Sequence, residues 1–105
     1  RLDEAIAHLR EARKLTKAKP DDAEAHFYLG NELSNAGNKP GAILQYREAI
    51  RLKPDFAAAH NNLAVALYMT GDYTQAWKEA HLCERYGLQP PADFLRALSE
   101  KQPEP

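Results

Sequence analysis

Apolar side chains along this chain recur at intervals of three and four, the spacing that lines one face of a helix. Leu29 and Leu33 lie four apart, as do Leu63 and Leu67, and each pair reads as the buried stripe of a helix. Ala42, Tyr46, Ala49 and Ile50 form a second kind of stripe, in which small alanines let neighbouring helices approach closely. Ala5, Ile6, Leu9 and Ala12 repeat that kind near the start. Between the stripes, Gly37 and Gly71 suit left-handed turns, after which Asn38 or Asp72 can cap the next helix. Pro54 stops a helix and Asp55 is positioned to cap the one that follows; Pro20, Asp21 and Asp22 make the same stop and start earlier. The pattern predicts helices over 2–16, 22–36, 39–52, 56–70 and 73–86. A short sixth follows, with Pro91 in its first turn and Phe94, Leu95 and Leu98 on its apolar face.

The stripes themselves repeat. At an offset of 34 residues, Ala25 meets Ala59, His26 meets His60, Leu29 meets Leu63, Leu33 meets Leu67, Gly37 meets Gly71 and Ala42 meets Ala76. Pro20 and Pro54 stand one such period apart, while about three extra residues separate the first stripe from Pro20. This pattern resembles the tetratricopeptide repeat, a helix-turn-helix family with the signature W-x2-L-G-x2-Y followed by A, F, A and P at set intervals. His26, Leu29, Gly30, Leu33, Ala42, Tyr46, Ala49 and Pro54 fill the series once; His60, Leu63, Ala64, Leu67, Gly71, Ala76, Ala80 and Cys83 fill it again, with Leu88 in place of the proline. The resemblance implies an all-α fold, a right-handed superhelical stack of antiparallel helix pairs forming an α-solenoid. Residues 1–100 then form a single array: 1–19 the second helix of a truncated repeat, 23–56 a repeat, 57–90 a degenerate terminal repeat and 91–100 a capping helix. Residues 101–105 have two prolines and nothing to bury, so a frayed tail is expected.

Composition narrows the function. A 105-residue chain that is 44% hydrophobic, with five glycines, lies in the globular range, and a net charge of −1 gives no field to attract phosphates. Nucleic acid is therefore not an expected partner. The basic run Arg10, Arg13, Lys14, Lys17 and Lys19 reads as a solvated helix end. No stretch approaches the roughly 20 apolar residues that cross a bilayer. The start at Arg1 reads as a piece of a longer chain, from which any leader or anchor is missing.

Catalysis and metal binding find little footing. His26 and His60 share one repeat position, which points to a shared packing role. His81 and Cys83 lie two apart on a helix and point in different directions, and Cys83 aligns with Ala49 at a small-residue packing place. Ser34 and Ser99 have no evident base, and no phosphate-binding loop is present. No catalytic residue, metal site or cofactor is expected.

The resemblance implies instead that the first helix of each pair lines a concave surface. The face opposite the buried leucines carries Phe27, Tyr28, Asn31, Ser34 and Asn35, and in the next unit Asn61, Asn62, Val65, Tyr68 and Met69. Asparagine amides can grip an extended backbone, and aromatic neighbours can add buried area. The expected function is a non-catalytic scaffold that binds a peptide or partner helix in this groove. Two alternatives stand beside it: self-assembly through the exposed face of Ile6 and Leu9, giving a weak homo-oligomer, and recruitment of substrates for a larger enzyme. One subgroup of the family clamps a C-terminal carboxylate with lysine, arginine and asparagine. Asn31 and Asn62 match its asparagines, but Phe27 and Ala92 stand where lysines are expected, leaving Arg96 as the one replacement cation.

Overall fold

The computed structural model describes residues 2–105. Arg1, the first residue of the expected leading segment, lies outside them. Six helices follow one another: α1 (Leu2–Ala18), α2 (Ala23–Asn35), α3 (Lys39–Leu52), α4 (Ala57–Met69), α5 (Tyr73–Arg85) and α6 (Ala92–Lys101). No strand occurs among the described residues. The most extensive contacts join α2 to α3 and α4 to α5, so each pair is a hairpin; α3 packs on α4 and α1 on α2, while α6 rests more lightly on α5. The result is an all-α solenoid-like stack with extents of 40 × 29 × 18 Å.

The turns follow from their residues. Gly37 and Gly71 adopt φ of 85° and 87°, where a side chain would be strained. Gly87 does the same after α5, at φ 96°. Asn38 Oδ1 accepts from Gly41 N at 2.9 Å and Asp72 Oδ1 from Gln75 N at 3.3 Å, satisfying amides that the helix starts leave unpaired. Asp22 caps α2 by accepting from Glu24 N at 3.0 Å. Asp55 does not cap α4 as expected, because it aligns with Asp21; the cap position falls to Phe56, which makes no side-chain cap bond. Phe56 packs on Phe27 instead, with ring centroids 4.8 Å apart. Pro91 likewise stands at the cap of α6 and not within its first turn.

The repeat stripes form the core. Leu29, Leu33, Leu63 and Leu67 are all buried, with Ala12, Ala42, Ala49, Ala59, Ala76 and Ala80 between helices at close approach. Burying a leucine contributes about 1.5–3 kcal/mol, so these four contribute a large share of the driving force. Gly30 lies inside α2 against the ring of Tyr46, where a Cβ would come within 2.6 Å of Cε1. One period later the same two places hold Ala64 and Ala80, both buried. A large and a very small residue in one hairpin are thus exchanged for two small ones in the next, so the glycine is needed only where the tyrosine ring lies against the helix.

The two repeat histidines lock each hairpin. His26 Nδ1 pairs with Gln45 Oε1 and Nε2 with the Pro20 carbonyl, each at 2.8 Å. His60 pairs with Glu79 Oε1 at 2.7 Å and with the Pro54 carbonyl at 2.8 Å, and its ring stacks on Tyr86 at 5.5 Å. Each imidazole therefore ties its first helix both to the second helix and to the preceding loop. The four residues from Gly87 to Pro90 close this end: Cys83 Sγ donates to the Leu88 carbonyl at 3.1 Å, and Pro90 is buried. Burial pushes the Cys83 thiol up from its ordinary value, and the Glu84 charge adds to the effect.

The tail departs from the expected fraying. Trp77 Nε1 donates to the Gln102 carbonyl at 2.8 Å, Gln102 Nε2 donates to Thr74 Oγ1 at 2.9 Å, and His81 Nε2 lies 2.7 Å from Glu104 Oε2. The buried indole needs an acceptor for its N–H, and the chain leaving α6 supplies one. Tyr73 meets Tyr68 at 5.8 Å, and Phe94 meets the other side of Tyr68 edge-on at 5.8 Å, so α6 covers the last hairpin through aromatic rings.

Candidate functional site

A concavity of 410 Å³ opens where α2 faces α4. From α2 it is lined by Tyr28, Asn31, Glu32, Ser34 and Asn35, from α4 by Asn62, Val65 and Ala66, and from beneath by Tyr46 of α3. Six of the ten residues expected at a groove therefore come together: Tyr28, Asn31, Ser34, Asn35, Asn62 and Val65. The helical spacing that buries Leu29 and Leu33 turns Tyr28, Asn31 and Asn35 to the opposite side.

The other four lie elsewhere. Phe27 is taken into the joint between hairpins, between Phe56 and Tyr46, the latter at 6.0 Å. Tyr68 sits among Tyr73 and Phe94 beneath α6. Asn61 Nδ2 donates to Asn62 Oδ1 at 3.2 Å, while its own Oδ1 is buried without a partner. Met69 is 58% exposed, beyond the concavity towards the end of α4. Aromatic side chains in this fold are drawn to the inter-helix joints, which bury more of their area than an open groove does.

The centre of the site is an amide held from two sides. The Tyr46 hydroxyl donates to Asn31 Oδ1 at 2.6 Å, and Asn62 Nδ2 donates to the same oxygen at 2.8 Å. With its oxygen engaged twice, Asn31 is fixed in the orientation that presents its NH2 as the free donor. Asn62 is fixed in turn by Asn61. Burial pushes the Tyr46 phenol above its ordinary value. Tyr46 is only 2% exposed and reads in the sequence as a core aromatic; the depth of its hydroxyl beneath Asn31 is a feature of the hairpin packing.

Charge at the site comes from Glu32, whose side chain is 15% exposed, with His8 Nδ1 of α1 at 3.5 Å. Lys39 approaches from the start of α3, but its ammonium donates to Ser34 Oγ at 2.8 Å and to the Ser34 carbonyl at 3.1 Å. Arg96 does not reach this place; it is exposed on α6 beside Asp93 at 3.3 Å. The cations of a carboxylate clamp are accordingly missing from the lining. Among the described residues no three of His, Cys, Asp and Glu gather as a metal site, and no helix is long and apolar enough to cross a membrane.

Two family descriptions match the chain, "Tetratricopeptide repeat" over residues 1–31 and "TPR repeat" over residues 30–71. Among curated relatives, the peroxisomal targeting signal receptor of Eremothecium gossypii is 39% identical over 64 residues, 61% of this chain and 11% of that protein. Protein FlbA of Caulobacter vibrioides is 34% identical over 85 residues, 81% of this chain and 14% of that protein. A solved O-GlcNAc transferase variant from Thermobaculum terrenum superposes with a TM-score of 0.74 at 27% identity, over 92% of this chain and 18% of that one. The chain thus spans less than a fifth of each of these proteins. With the 34-residue period, the small-residue hairpin interfaces and the glycine turns in place, the chain belongs to the tetratricopeptide repeat family.

Proposed function

We propose that this repeat array is a non-catalytic protein–protein interaction scaffold whose concave face, between α2 and α4, holds an extended stretch of partner polypeptide. The observation that carries the reading is the Asn31 amide, whose oxygen is engaged by Tyr46 and Asn62, leaving its NH2 as the donor still available to a partner. An extended backbone offers carbonyl oxygens at regular intervals, and a fixed amide donor reads them without regard to side chains. The similarity to a protein named as a receptor for a targeting signal supports the same kind of partner. Two hairpins give limited anchoring area, so affinities on the order of micromolar or weaker are expected.

Selection of a random peptide library on the native chain, followed by titration of the winners against the Asn31→Ala/Asn62→Ala variant, tests this. The reading expects at least a tenfold loss with helicity unchanged; winners that bind the variant equally well remove the groove from the account. Self-association is a second reading, favoured by Ile6, which is 40% exposed on α1, a helix whose extensive packing is against α2. Sedimentation of the chain over a range of concentrations decides it, and a monomer throughout would eliminate it.

A further inference from the structure

Glu32 is the single formally charged residue among the described residues lining the concavity, and its carboxylate ends a side chain that is only 15% exposed. Among the described residues it makes no direct hydrogen bond. Among the described residues the His8 ring, itself 60% exposed, is the group able to carry positive charge within 4 Å of it, at 3.5 Å. Lys39, the other charge near the site, is already tied to Ser34. A part-buried carboxylate without a close hydrogen-bond partner can accept charge-assisted hydrogen bonds from an arriving cation. Tyr28 and Val65, in the same lining, offer apolar surface to the methylene stem of a long basic side chain.

We infer that the groove selects a segment bearing a lysine or arginine side chain, whose charged end seats on Glu32 while Asn31 binds the backbone beside it. This rests on the reading of the groove as a peptide site and adds the chemistry of the residue that enters it. Acidic segments and free C-terminal carboxylates are disfavoured by the same charge.

The test uses the whole chain, labelled for two-dimensional nitrogen–proton NMR and titrated at low salt with three blocked alanine pentapeptides. Their central residue is lysine, norleucine or glutamate. The lysine peptide is expected to shift the Asn31, Glu32 and Asn62 signals with about tenfold tighter binding than the norleucine peptide, and the glutamate peptide to bind weakest. In Glu32→Gln, lysine and norleucine peptides should bind within about twofold of each other. Equal binding of lysine and norleucine peptides to the native chain overturns the charge selection and leaves the peptide groove standing. Absence of any shift at these residues with all three peptides overturns both.

Discussion

The contact between His60 and Glu79 invites the sharpest test of how each hairpin is held. Both side chains are nearly enclosed, at 3% and 7% exposure, and the imidazole lies between two oxygens, the carboxylate at 2.7 Å and the Pro54 carbonyl at 2.8 Å. The ring thus has an oxygen within hydrogen-bond distance of each of its nitrogens. Removing one partner leaves the other buried and unpaired, which costs about 3–5 kcal/mol when a buried pair is broken. A domain of this size is stable by only about 5–15 kcal/mol. Glu79→Ala should therefore lower the melting temperature by roughly 12 °C or more. The first hairpin indicates a substitute: Gln45 stands in the equivalent place against His26, at 2.8 Å. An amide can turn its NH2 towards the ring, so Glu79→Gln should cost under about 1 kcal/mol. Urea unfolding followed by far-ultraviolet circular dichroism measures all three proteins. A Glu79→Ala variant within about 1 kcal/mol of the native chain, or a glutamine variant as damaging as the alanine one, would refute the buried pairing.

Gly30→Ala should destabilise by about 1–3 kcal/mol through its clash with the Tyr46 ring. In a Tyr46→Ala background the same change should stabilise by up to about 1 kcal/mol, because helix propensity is then unopposed; a double-mutant cycle in urea reads the change of sign. Trp77→Phe should loosen residues 102–105, moving their amide signals towards random-coil positions with a loss of about 1 kcal/mol, and unmoved signals in the variant would contradict the strap. Cys83 should resist alkylation in the folded chain at mildly alkaline pH and react only on unfolding, since burial raises its thiol and the reactive thiolate forms at higher pH than usual. Rapid labelling of the native chain would show that the end of α5 opens far more readily than its packing implies.

The helices, their glycine turns and the leucine stripe are legible in the sequence because each depends on short-range spacing that the 34-residue period states twice. The groove is legible only in outline. Tyr28, Asn31, Asn35 and Asn62 follow from helical geometry, whereas Phe27 and Tyr68 were claimed by joints formed between segments far apart in sequence. Glu32 and Tyr46 entered the lining unannounced for the same reason: α1 and the hairpin partner α3 determine how they face the site. The ordered tail is not legible in the sequence because its stabilising group is a backbone carbonyl, which composition cannot reveal. Asp55 failed as a cap by a one-residue offset, since Phe56 holds that place and is more valuable as packing against Phe27.

The claim that the concave face holds a peptide is tested most directly by attaching a nitroxide spin label to a library-selected peptide and recording the chain's NMR spectrum in the complex. Signals of Tyr28, Asn31, Asn35 and Asn62 should broaden strongly, while those of Leu44 and Arg47, on the opposite helix α3, persist. Broadening centred on α3 or α5, with the Asn31 and Asn62 signals intact, would place the partner on the convex side and contradict the account.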